Sequence, residues 1–155
     1  MSVQELKRFD FFSPLADADL ERLSELILRR QHKAGTYITQ EGQPNDKLHL
    51  VLSGMVEVVK TKASNEVVLG QIGPKGFYGE MSMFFPPTTT AGVKAREDSE
   101  VLSFPHEALK QFIREHPAVG TQIMWAMMEV ICQRLDMVNR MYGDTMFWLN
   151  ENYTV

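Results

Sequence analysis

Between residues 35 and 104 the chain is cut into short β-forming runs by turn residues. Tyr37-Ile38-Thr39, Leu48-His49-Leu50-Val51-Leu52, Val56-Glu57-Val58-Val59, Val67-Val68-Leu69 and Val101-Leu102-Ser103-Phe104 have strand composition. Gly35, Gly42 with Pro44-Asn45-Asp46, Ser53-Gly54, Ser64-Asn65 and Gly73-Pro74-Lys75-Gly76 fall between them. Many short strands with glycine turns predict a small antiparallel barrel, roll or sandwich. The flanks change period. Residues 5–32 read as helical, with Leu20, Leu23 and Ile27 at helix spacing, Asp17 and Asp19 where a helix start favours negative charge, and Ser13-Pro14 separating this helix from a shorter opening segment. A shorter helix is expected over 106–115, and Pro117 suits the first position of the next. No Gly or Pro interrupts 121–142, and Gly143 reads as a stop.

The expected fold class is therefore α+β, mainly β: an antiparallel β-roll or jelly roll with an N-terminal helix and a long C-terminal helix. The domain is read as 1–142, with 5–32 N-terminal, 35–104 the roll and 105–142 the C-terminal helices. Residues 143–155 form an aromatic tail containing Phe147, Trp148 and Tyr153. This tail folds back on the roll, covers a pocket or docks a partner.

Met124, Met128, Ile131, Leu135, Val138 and Tyr142 follow one another at 4, 3, 4, 3, 4, which is a heptad seam. Ile123, Met127, Val130, Met137 and Met141 make a second stripe beside it. Either both stripes pack on the roll, or one packs there and the seam pairs two copies in a homodimer.

Charge and composition exclude several classes. The 16 Lys+Arg against 20 Asp+Glu give a net charge of -4, unsuited to nonspecific nucleic-acid binding. No run approaches a membrane span, and the opening residues have no apolar signal core. The single cysteine, Cys132, fits a reducing, cytoplasmic setting and is expected to be a buried, inert thiol. Asn152-Tyr153-Thr154 matches a glycosylation pattern by chance.

Catalytic and metal chemistry find no support. His32, His49, His106 and His116 share no ligand spacing, so no metal is expected. There is no Gly-x-Ser-x-Gly elbow and no phosphate-binding Gly-x-x-x-x-Gly-Lys loop. A cupin-like enzyme is the discarded alternative. What stands out is Gly76-Phe77-Tyr78-Gly79-Glu80-Met81-Ser82-Met83-Phe84-Phe85, a glycine turn entering a short helix. Free amides at such a turn can cradle an anion.

Taken with Gly35-x-x-Ile38-x-x-x-Gly42, with Leu50-Val51-Leu52-Ser53-Gly54-Met55-Val56-Glu57-Val58 and with Gly70-x-Ile72-x-Pro74-x-Gly76-Phe77-x-Gly79-Glu80, this run resembles the cyclic nucleotide-binding domain family. Val93-Lys94-Ala95 and Ser99-x-Val101-Leu102-x-Phe104 add to the likeness, which covers about residues 9–142. The family is the sensor module of catabolite activator proteins and protein kinase regulatory subunits. The resemblance implies a non-catalytic domain whose ligand is cyclic AMP or cyclic GMP and which carries no other cofactor. It implies that Gly79 and Glu80 face the ribose, with Met81 following, and that Thr90 and Ala91 face the phosphate. Asn139, beside Val138, would reach the base edge.

One departure is decisive. The family places an arginine on the phosphate where this chain has Thr89, within Pro86-Pro87-Thr88-Thr89-Thr90-Ala91. Threonines donate hydrogen bonds but neutralise no charge. The expected function is thus a regulatory domain degenerate in nucleotide binding, a dimeric signalling module acting on a protein partner. The alternative is a working sensor of a cyclic nucleotide or another small ligand in the same roll. Only thirteen residues follow position 142, so no DNA-binding helix-turn-helix is expected.

Overall fold

Two four-stranded antiparallel sheets form the roll in this computed structural model, which describes residues 2–62, 65–85 and 88–153. One contains β1 (Leu28–His32), β3 (Lys47–Ser53), β6 (Phe77–Tyr78) and β8 (Ser99–Pro105), in the order β1-β8-β3-β6. The other contains β2 (Tyr37–Thr39), β4 (Val56–Lys62), β5 (Asn65–Ile72) and β7 (Gly92–Ala95), in the order β2-β7-β4-β5. Around them lie α1 (Val3–Leu6), α2 (Asp17–Ser24), α3 (Met81–Phe84), α4 (His106–Glu115) and α5 (Pro117–Tyr153). Ser64, Pro86, Pro87 and Thr154, which figured in the turn, loop and glycosylation readings, lie outside the described residues.

Strand alternation divides the interior into two clusters. Leu48, Leu50 and Leu52 leave β3 on the helical side, joining Phe9, Phe12, Leu20, Leu23, Phe104, Leu109, Ile123 and Met127. Val51 leaves on the other side, into the roll, with Val56, Tyr78 and Val93.

The 5–32 segment divides on either side of Ser13-Pro14 into the short α1 and the longer α2, but it does not stay helical to residue 32. Ser2 and Glu5 form a capping box on α1, and α2 ends at Ser24. Residues 28–32 are a strand, paired with 99–103 of β8. A distant partner decides that conformation; local propensity does not. Leu20 and Leu23 are buried as their spacing predicts, and Ile27 packs on the same core after the helix has ended.

The turn from β3 to β4 depends on Gly54. Its φ is +82°, and a Cβ there would lie 2.4 Å from Ser99 Oγ and 2.6 Å from the Asp98 carbonyl. Left-handed strain and overpacking each cost about 1–3 kcal/mol. Gly54→Ala is expected to cost about 2–6 kcal/mol of stability, read as a lower urea midpoint with an unchanged slope. An unchanged midpoint would refute this packing argument.

Nor does Gly143 end the last helix, which runs unbroken to Tyr153. Glycine lowers helix stability by about 1 kcal/mol against alanine, too little to stop a helix continued on both sides. The second stripe is the packing face: Ile123 and Met127 are fully buried and Val130 lies against the core. The seam faces outward at Met128, Leu135, Val138 and Tyr142, at 53%, 57%, 55% and 65% exposure, while Met124 and Ile131 are half-buried. From 135 to 151 every residue is exposed, so the helix projects about 25 Å beyond the roll. Cys132 is exposed, contrary to expectation, because it lies off the face formed by Ile123 and Met127.

Candidate functional site

β6 delivers the chain to a tight bend at Gly79, with φ +87°. A Cβ at Gly79 would sit 2.5 Å from the Lys47 carbonyl and 2.8 Å from Asn45 Nδ2, so only glycine lets the bend rest on the start of β3. A His106 ring nitrogen lies 3.1 Å from the Gly79 carbonyl and secures it from below. Glu80 then precedes the one-turn helix α3 without a side-chain capping bond, which leaves its carboxylate free for other partners. Opposite stands the Thr89–Ala91 segment leading into β7.

Between these parts lies a cavity of about 190 Å³. Gly79, Glu80, Met81, Thr89, Thr90 and Ala91 all line it, with Val58, Ile72 and Tyr78 as its apolar floor. Six of the seven ligand positions read from sequence therefore converge. Asn139 does not: it is exposed on the projecting part of α5 and is not among the residues lining the cavity. Met83 is buried in the helical core, while Phe84 and Phe85 are exposed, so neither phenylalanine fills the cavity.

Arg134 is the charged lining residue that sequence reasoning missed, alongside neutral ones such as Asn45 and Ser82. Its Nη1 lies 3.3 Å from Glu80 Oε1, and its Nη2 donates to the Phe77 carbonyl at 2.5 Å. The guanidinium stacks 4.7 Å over the Phe77 ring. Glu80 is only 13% exposed, so this ion pair is shielded from water on the carboxylate side. Arg134 is also where α5 leaves the body, since the residues after it are exposed.

The Thr89 segment is arranged quite differently from an anion cradle. The Thr89 hydroxyl is shared between the carbonyls of Gln40 and Gln43, and its N–H donates to Gln43 at 3.0 Å. Its carbonyl accepts from the Gly42 amide at 2.9 Å. Every polar group of Thr89 is thus engaged by the 40–43 turn. Lys94 and Arg96 are paired with Glu66 and Glu57, at 3.1 and 3.7 Å.

Beneath the cassette formed by the Gly79–Met81 bend and the Thr89–Ala91 segment is a buried polar chain. Ser103 Oγ donates to His49 Nδ1 at 2.8 Å, and His49 Nε2 donates to Asn45 Oδ1 at 3.1 Å. Burial, and then the neighbouring Lys47, push the His49 pKa down to about 3. The ring is neutral, which fits one acceptor and one donor nitrogen. The His49 ring stacks on Tyr78, whose buried hydroxyl has no partner among the described residues.

A stability prediction follows from His49. Its folded pKa lies below the ordinary 6.5, so the unfolded chain takes up the proton first. The native state is fully favoured above pH 6.5 and loses stability as pH falls toward 3. By pH 5 the loss from this residue is about 2 kcal/mol. Burial shifts His32 and His106 in the same direction. Urea midpoints measured from pH 7.5 to 5 should fall before carboxylates titrate, and His49→Gln should flatten the curve. A flat curve in the unchanged protein would contradict a buried neutral His49.

The family model for the cyclic nucleotide-binding domain matches residues 29–116. A CRP-like cAMP-activated global transcriptional regulator from Mycobacterium tuberculosis is 24% identical over 143 residues, which are 92% of this chain and 62% of that protein. The chain thus spans less than two thirds of that relative. A cyclic nucleotide-binding domain from Methylobacillus flagellatus superposes with a TM-score of 0.81 at 19% identity, covering 92% of this chain and 83% of that one. The regulatory subunit of a cAMP-independent protein kinase A from Trypanosoma brucei gives 0.71 at 19% identity, covering 94% and 50%. That structure is a triple mutant bound to cAMP in its A site, and one of its changes is threonine to arginine.

Proposed function

The chain belongs to the cyclic nucleotide-binding domain family, and on that premise we propose that it is a regulatory module no longer dependent on a cyclic nucleotide. It acts without catalysis, as a homodimer joined through α5, and passes its state to a protein partner. The observation that carries this reading is Thr89. A cyclic phosphate bears one negative charge, and its buried partner is ordinarily a guanidinium fork. Here the position holds a neutral side chain whose hydroxyl donates to the 40–43 turn, and the backbone N–H and carbonyl of Thr89 are engaged by the same turn. The trypanosome subunit supports the reading by analogy, as a cAMP-independent protein whose cAMP-bound form has gained an arginine.

The Arg134–Glu80 pair suggests how cassette and helix communicate. Glu80 is the acceptor that a ribose hydroxyl would need, and it already holds the point where α5 departs. Whatever competes for Glu80 alters the exit of the helix. The same carboxylate favours a second reading, in which a small uncharged ligand bearing hydroxyl groups enters the roll and displaces Arg134 from Glu80.

Calorimetric titration with cyclic AMP and cyclic GMP tests the first reading. No saturable heat is expected up to about 1 mM nucleotide. Micromolar binding by the unchanged protein would sink it.

A further inference from the structure

A second cavity, also of about 190 Å³, opens at the β1 and β2 edge of the roll. It lies back to back with the cassette cavity, and Thr39 and Asn45 line both. Its floor is polar and buried: Asn45, His49 and Ser103 are each at least nine-tenths inaccessible. Its rim carries Arg30, His32 and Lys47.

By register with Ser103, Val101 and Ser99 of β8, Leu28, Arg30 and His32 share the roll-side face of the edge strand β1. Leu28 and Arg30 are solvent-exposed there and His32 is half-buried, so the Arg30 guanidinium stands at the open mouth of the cavity. Of the charged groups lining this cavity, Lys47 is matched by its contact with Asp46. No ion pair or hydrogen bond to the Arg30 side chain is found among the described residues. With His32 and His49 neutral, the cavity carries one uncompensated positive charge in a chain of net charge -4.

We propose that this second cavity binds a small oxyanion, a carboxylate or a phosphate, on the Arg30 guanidinium. Arginine presents a planar fork that meets two oxygens at once. Lys47 and the His32 ring stand on the same rim to supply further donors. The volume falls below the 300–1,000 Å³ or so of drug-sized pockets, so the anion has few heavy atoms. Through Asn45, which touches the Gly79 bend, the bound anion would lie directly behind the cassette.

The test is a backbone amide NMR titration of the whole chain with inorganic phosphate and, separately, with acetate, at constant ionic strength. Saturable shifts are expected in residues 30–32 and 45–47. Arg30→Ala should weaken them by about tenfold or more. Lys33→Ala, which removes a lysine paired with Asp98 outside this cavity, should leave them unchanged. Saturation by phosphate alone or by acetate alone supports the site and identifies the class. No saturable shift with either, or equal weakening by both variants, overturns it. Shifts centred on Thr89–Ala91 overturn it too, and they would count separately against the neutral cassette proposed above.

Discussion

Thr89→Arg is expected to raise affinity for cyclic AMP by about one to two orders of magnitude, from undetectable to measurable by calorimetry. The basis is one charge-assisted contact worth roughly 1.5–3 kcal/mol, and each 1.4 kcal/mol is tenfold. Under the proposed reading two further cassette features remain: Gly79 makes its bend, and the Glu80 carboxylate lines the same cavity as position 89, there paired with Arg134. The substitution sacrifices only the hydroxyl bonds to Gln40 and Gln43, because the backbone bonds to Gly42 and Gln43 do not involve the side chain. Glu80→Ala in the same background should remove most of the gain by deleting the acceptor for the ribose hydroxyl. A Thr89→Arg protein that stays silent would show that more than one charge separates this cassette from a working one. Arg134 on Glu80 would then be the next residue to change.

The roll was legible in the sequence because its strands carry their own signal. Runs such as Leu48–Leu52 and Val56–Val59 alternate or are β-branched, and glycine turns bound them. β1 was not legible. Leu28-Arg29-Arg30-Gln31-His32 has little strand propensity, and its place is fixed by β8, far along the chain. Arg134 was hidden by a different cause. It falls on the stripe of Ile123, Met127 and Val130 at the next helical step, where a purely apolar reading passes on to Met137. A cation on an otherwise buried stripe was the available sign that the helix meets a carboxylate there. That position 89 holds threonine and not arginine could be read directly. The capture of Thr89 by the 40–43 turn could not, because that bond joins residues more than forty positions apart.

Leu135→Glu combined with Val138→Glu is expected to convert the proposed dimer into a monomer, with association weakened by at least about a thousandfold. Leu135 and Val138 are 57% and 55% exposed on the single chain. Burying one such side chain is worth roughly 1.5–3 kcal/mol, and a twofold interface uses each position twice. Four introduced carboxylates add a desolvation cost without partners. The roll should be untouched, because residues beyond Arg134 are exposed and the packing face of α5 ends in Val130. Sedimentation equilibrium reads the association, and the urea midpoint of the roll should not move. Met141→Glu, on the flanking stripe, should cost much less than either seam change. Equal losses from the seam and the stripe would mean that the helix associates by general apolar contact without heptad register. An unchanged chain that sediments as a monomer at every concentration reached would remove the seam as an interface and leave the projecting helix to a different protein.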